Sequence, residues 1–175
     1  MKFNVDENRV AAGARKIRLL LLDVDGVLTD GRLYYSASGE ELKVFNTLDG
    51  HGLKLLQRAG LQTGIISGRK SAALELRCRD LGMDHVHQGR DDKLKVLEEI
   101  LAQSGFSLEQ VAYAGDDLPD LPVIRSSGLG ISVPNAHAEV RAAASMVTSL
   151  RGGNGAVREI CDYLLRQQGL YPETN

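Results

Sequence analysis

The chain has 175 residues, 43% of them hydrophobic, which suits one domain with a substantial core and leaves no room for a second. Its 21 basic and 23 acidic side chains leave a net charge of -2, without the basic surplus that nonspecific nucleic-acid binding requires. Cys78 and Cys161 stand alone and far apart, which excludes a CxxC zinc site and a disulfide framework and fits a reducing cytoplasm.

The opening stretch, MKFNVDENRVAAGARKIR, has acids and an asparagine where a signal peptide needs an apolar run, and residues 17–22 are too few to span a bilayer. A soluble cytoplasmic protein with no membrane or nucleic-acid partner is therefore expected. Residues 17–22 read as the first strand, and the run ends on Asp23-Val24-Asp25-Gly26. Residues 32–35 and 42–45 are β-prone around a loop carrying Gly39, which predicts a β-hairpin over about 32–45. Leu53, Leu56 and Ala59 then share a helical face, preceded by the bend-prone NTLDGHG of residues 46–52.

A second strand is expected over 62–66, ending at Ser67, and a weaker third over 85–87. Leu94, Leu97, Ile100 and Leu101 mark the next helix, which Lys93 opens; Ser107 and Gln110 have capping-box spacing. The fourth strand is predicted over 111–114, followed by GDDLPD, the fifth over 130–133, with a short last one at Met146 and Val147. Gly152, Gly153 and Gly155 read as a flexible lead into a final helix whose apolar face is Val157, Ile160, Cys161 and Leu164. Residues 170–175 read as a flexible tail. Strands alternating with helices predict an α/β fold built on a parallel sheet in a single domain over 1–175, with the hairpin protruding.

In such a sheet ligands gather at the carboxyl ends of the strands. Asp23 and Asp25 follow the first strand, Ser67 the second, Asp116 and Asp117 the fourth, and Lys93 begins the helix after the third. Each has a plainer use alone: a strand-end acid caps a helix, a Ser-Gly makes a turn, a helix lysine faces water. Their joint arrival at successive strand ends fits phosphoryl transfer from a monoester. Asp23 is the candidate nucleophile and Asp25 the acid that protonates the leaving alcohol and then deprotonates water. Ser67 and Lys93 are candidate phosphoryl-oxygen ligands, and Gly26 lets backbone approach the phosphate. Asp23, the Asp25 carbonyl and Asp116 offer Mg²⁺ the hard oxygens it requires, while Asp117 and Asp120 are acceptors able to orient metal waters and Lys93.

The strings DVDGVLTDG, ISGR, Lys93 and GDDLPD resemble the four motifs of the haloacid dehalogenase superfamily of phosphatases, in order and over most of the chain. LLLLDVDGVLTDGRLYY, FNTLDGHGLKLL and RGGNGAVREICDYLL resemble its 3-deoxy-D-manno-octulosonate (KDO) 8-phosphate phosphatase branch in particular. Val27 stands where many superfamily members have threonine, and that branch commonly has valine. The resemblance implies a Rossmann-like core, Mg²⁺, an aspartyl-phosphate intermediate, a homotetramer and a place in lipopolysaccharide precursor synthesis.

The intervals between motifs leave no space for a cap domain, so the resemblance implies closure by neighbouring subunits, with Tyr34 and Tyr35 of the hairpin at the interface and Arg151 and the tail as lid candidates. It also implies a sugar-acid phosphate as partner, held by Asp25, Asn46, Thr47, Asp49, Gly50, Arg69, Arg77 and Lys93. Arg69 and Arg77 suit a carboxylate, whereas Thr47 and Asp49 equally suit a helix cap. His85, His87 and His137 read as structural, and His51 as a solvated turn residue. Competing readings are a phosphatase for a nine-carbon sugar acid 9-phosphate, a phospho-acceptor signalling domain and a catalytically idle oligomerisation module.

Overall fold

The computed structural model describes residues 1–172, and of Glu40 and Glu41 the backbone alone. In chain order it contains β1 (Lys2–Phe3), α1 (Glu7–Ala14), β2 (Leu19–Leu22), β3 (Tyr34–Ser36), β4 (Gly39–Leu42), α2 (Thr47–Arg58), β5 (Gln62–Ser67), α3 (Ala72–Leu81), β6 (His85–Gln88) and α4 (Lys93–Ser104). There follow β7 (Val111–Gly115), α5 (Leu121–Ser126), β8 (Leu129–Ser132), α6 (Ala138–Ala143), β9 (Met146–Val147) and α7 (Ala156–Gln167). The main sheet has seven strands in the order β1-β9-β8-β7-β2-β5-β6, all parallel except β1, which pairs antiparallel with β9. The hairpin β3–β4 forms its own two-stranded sheet.

Six sequence-predicted strands are present. β1 and α1 were not expected, because a two-residue edge strand exists only through its pairing with the far end of the chain. The four leucines of β2 are fully buried, as a central strand covered on both faces must be. Right-handed crossovers send α2 and α3 to one face, because β2, β5 and β6 advance in one direction, and α4, α5 and α6 to the other, where the chain runs back through β7, β8 and β9. The packing agrees: α2 lies on α3 and α7, while α5 lies on α4 and α6. Val157, Ile160, Cys161 and Leu164 of α7 are buried, as their spacing predicts. The strand order reverses at β2, between β5 and β7, which makes its carboxyl end the natural crevice of the sheet.

Two local expectations change. The hairpin pairs only over 34–36 and 39–42; the flanking residues of 32–45 leave the ladder. The tail is docked as far as it is described: Leu170 N–H donates to the Leu165 carbonyl at 2.8 Å, and the Arg166 guanidinium covers the Tyr171 ring 3.7 Å from its centroid. The last part of the expected tail, 173–175, lies outside the described residues. Among the described residues no helix is long and apolar enough to cross a membrane.

Candidate active site

Leu22 is level with Ala114 of β7 and Ile65 of β5, so Asp23, Asp116 and Ser67 all lie at one sheet edge. Asp23 is extended, and its N–H continues the ladder to the Ala114 carbonyl at 2.8 Å. The chain then turns widely through Val24–Leu28, with Gly26 at φ +103°. A Cβ on Gly26 would stand 2.0 Å from Asp116 Oδ2, so the absence of a side chain there is what admits the Asp116 carboxylate. Behind the turn, Asn135 Nδ2 donates to the Gly26 carbonyl at 2.9 Å and Asn135 Oδ1 accepts from Gly152 N at 2.8 Å. A Cβ on Gly152 would fall 1.7 Å from the Gly26 oxygen. The glycine segment before α7 is thus a close-packed brace for the Asp25–Gly26 turn, where the sequence reading expected a flexible lead.

Lys93, only 6% exposed, reaches in from the first turn of α4 and donates to Asp23 Oδ1 and Asp120 Oδ1, each at 2.6 Å. Asp120 also accepts from the Tyr113 hydroxyl at 2.6 Å and, through Oδ2, from the N–H groups of Asp116 and Asp117 at 2.9 and 3.1 Å. Its acceptor capacity is used up inside the protein, which makes it the anchor of Lys93.

Oxygens of Asp23, Asp116 and Asp120 lie within 4.8 Å of one another. Burial pushes the Asp23 carboxyl up to about 6 against the pull of Lys93, and burial with repulsion from Asp23 and Asp120 pushes Asp116 up to about 8. Burial alone would lower the Lys93 ammonium, but Asp23 and Asp120 outweigh it and raise it. Three carboxylates around one ammonium leave an excess of negative charge. With Asp120 committed, the hard oxygens of Asp23 and Asp116 fit a small divalent cation.

Asp25 points to the hairpin side. Lys43 Nζ, just beyond β4, donates to Asp25 Oδ1 at 2.5 Å, and Arg69 Nε lies 3.7 Å from Oδ2. Arg69 also donates to the Tyr35 hydroxyl and lies over that ring, 5.9 Å from its centroid. Sequence reasoning missed Lys43. Its one signal is a lysine between Leu42 and Val44, where alternation offers an inward position.

A family model described as haloacid dehalogenase-like hydrolase matches residues 85–160. The 3-deoxy-D-manno-octulosonate 8-phosphate phosphatase of Escherichia coli K12 is 46% identical over 164 residues, 94% of this chain and 87% of that protein. The chain belongs to this phosphatase family. Two solved structures are similar throughout. A probable yrbi family phosphatase from Pseudomonas syringae pv. phaseolica has a TM-score of 0.92 at 52% identity, covering 94% of this chain and 93% of that one. The KDO 8-phosphate phosphatase of Moraxella catarrhalis, in complex with a magnesium ion, a phosphate ion and KDO, has a TM-score of 0.91 at 44% identity and covers 94% of each chain.

The remaining predicted site residues of this phosphatase divide. Ser67 is buried at the end of β5, its Oγ accepting from Arg69 N at 3.3 Å. Asp117 does not join the cluster: it is exposed, and its carboxylate accepts from Leu118 N at 2.9 Å, capping the short turn at Leu118–Asp120. Asn46 caps α2 through Leu48 N at 2.8 Å and donates to the Gly153 carbonyl at 3.3 Å, leaving Thr47 exposed. Asp49 is 1% exposed and accepts from Arg158 N at 2.7 Å, so it caps the start of α7 instead of presenting a carboxylate to solvent. Burial raises its carboxyl, while N–H groups of Arg158, Gly155 and Val157 pull it down less strongly. Arg77 lies over Gly50 and stacks on Phe45, 5.8 Å from the ring centroid.

Proposed function

We propose that this enzyme hydrolyses KDO 8-phosphate to KDO and inorganic phosphate, a step in lipopolysaccharide precursor synthesis, through a phosphoryl group carried on Asp23. The observation that carries the reading is the buried Asp23–Lys93–Asp120 chain with Asp25 two residues on, at the sheet's switch point. The Escherichia coli relative's name and the ligands of the Moraxella catarrhalis structure support the substrate.

The roles follow from the positions. Lys93 holds Asp23 in one rotamer and leaves its second oxygen for phosphorus. An Asp23 oxygen attacks phosphorus, the bond to the sugar oxygen breaks, and that oxygen takes a proton from the Asp25 carboxyl. Water then attacks phosphorus, gives its proton to Asp25, and the Asp23–phosphorus bond breaks to restore both carboxyls. Ser67, Lys93 and the Gly26 turn provide donors for the phosphoryl oxygens as negative charge shifts between them. Asp23, Asp116 and the Asp25 carbonyl would hold Mg²⁺, which supplies charge neutralisation for the phosphoryl oxygens when bound. Arg69, beside Asp25, pairs with the sugar acid's carboxylate in this reading, and the exposed Thr47 supplies a further polar contact.

Among the described residues no domain covers the site, and Tyr35, Leu42 and Val44 of the hairpin region are each about 60% exposed, at 61, 61 and 62%. Apolar surface beside an open site supports association of copies that close one another's sites; the assembly we propose is a homotetramer, and its compartment the cytoplasm. A monomer mass by light scattering would remove that part. The chemistry is tested by Asp23→Asn, which abolishes phosphate release while the melting transition persists; turnover surviving in this variant would remove the covalent route.

A further inference from the structure

Lysine is among the residues least often buried, because its ammonium must be desolvated. Lys43 nevertheless shows only 2% of its side chain, although the flanking Leu42 and Val44 are 61 and 62% exposed. The usual pattern of a half-buried strand is inverted here: apolar side chains face outward and the cation faces in. The cation donates to Asp25 at 2.5 Å, across 18 residues of chain. On the other side of the same carboxylate, Arg69 Nε stands at 3.7 Å and ties through its guanidinium to Tyr35. Tyr35 of β3 and Lys43 just beyond β4 are therefore both connected to one carboxylate, and Lys43 makes the short connection.

The geometry points to Lys43 as a positioning residue for the reaction, acting through Asp25; this rests on the acid/base role proposed above for Asp25. A carboxyl that must meet first a leaving oxygen and then a water cannot be left to rotate into solvent. Lys43 fixes its orientation from the hairpin side. Lys43 thus makes the hairpin part of the catalytic apparatus.

A lysine that only supports the fold would lower activity on every substrate alike. One that works through a general acid matters most when the leaving group needs a proton. The test compares kcat/KM, which reports phosphorylation of the enzyme, for KDO 8-phosphate and for p-nitrophenyl phosphate, whose leaving group departs as a stable anion. The proteins are the parent, Lys43→Met, Lys43→Arg and Asp25→Asn, with melting curves taken on each. Lys43→Met should lose about 10²-fold on the sugar phosphate, the lower range of general acid catalysis, and only a few-fold on the nitrophenyl ester. Lys43→Arg should recover most of the loss, and Asp25→Asn should show the same leaving-group bias. Equal losses on both esters in Lys43→Met, or no loss, would overturn the Lys43 role if Asp25→Asn still shows the bias. No bias in Asp25→Asn would instead overturn the acid/base assignment beneath it. If Lys43→Met does not fold, Lys43→Arg decides: parental discrimination supports the role, and an unbiased loss overturns it.

Discussion

Replacing Lys93 by methionine keeps the length of the side chain and removes its charge from between two buried carboxylates. Lys93 donates to Asp23 and Asp120 at 2.6 Å each and is 6% exposed, so no water can replace the ammonium without opening the site. Breaking a buried ion pair costs about 3–5 kcal/mol, chiefly because the partner is left uncompensated. For a domain of this length that is roughly 6–20 °C in melting temperature. The carboxylates can escape part of the penalty by binding protons, and Asp23 sits at about 6 even with Lys93 beside it. The folded variant therefore binds more protons than the folded parent, and its deficit grows as pH rises. Thermal unfolding of both proteins in EDTA at pH 5 and pH 8 reads this directly. A larger loss at pH 8 is expected; the same loss at both pH values, or none, would refute the view that Lys93 neutralises this cluster.

The parent itself should respond to pH and metal. Asp23 and Asp116 move from 3.8 when free to about 6 and about 8 when folded, so the folded state binds their protons more tightly. Metal-free stability contributed by these groups falls as pH rises from about 4 through 8, and Mg²⁺ should raise the melting temperature more at pH 8 than at pH 5. An equal gain at both would mean that the ion binds elsewhere. Gly26→Ala places a methyl 2.0 Å from Asp116 Oδ2 at φ +103°. It should cost about 1–3 kcal/mol in stability and eliminate turnover, and a stable, active variant would contradict the proposed packing of the turn.

Much of this was legible from residue order because strand ends carry it. The leucines of β2 have to be central, and that places Asp23; the apolar run before GDD places Asp116; Lys93 opens α4 as expected. Several features were hidden for one physical reason: a polar group's use depends on a partner that only the tertiary fold brings near. Asp49 has the spacing of a cap for α2 or of a sugar ligand, yet it caps α7, whose first turn is 109 residues away. Asp117 and Asp120 look equivalent in GDDLPD, but only Asp120 turns inward to Lys93 and Tyr113, while Asp117 closes a local turn. Asn135, Gly152 and Gly26 form one brace across three loops, and none of their local sequences announces it. Lys43 left a faint trace in its flanking apolar residues, since an inward lysine in a hairpin is unusual enough to ask what it meets.

The central claim is Mg²⁺-dependent hydrolysis of a KDO phosphate by this acidic site. Its most direct test is phosphate release by the purified chain from KDO 8-phosphate, from a nine-carbon sugar acid 9-phosphate and from p-nitrophenyl phosphate, with Mg²⁺ and with EDTA. The account predicts strong preference for KDO 8-phosphate, abolished by EDTA; preference for the nine-carbon ester, or no release from any of the three, would contradict it.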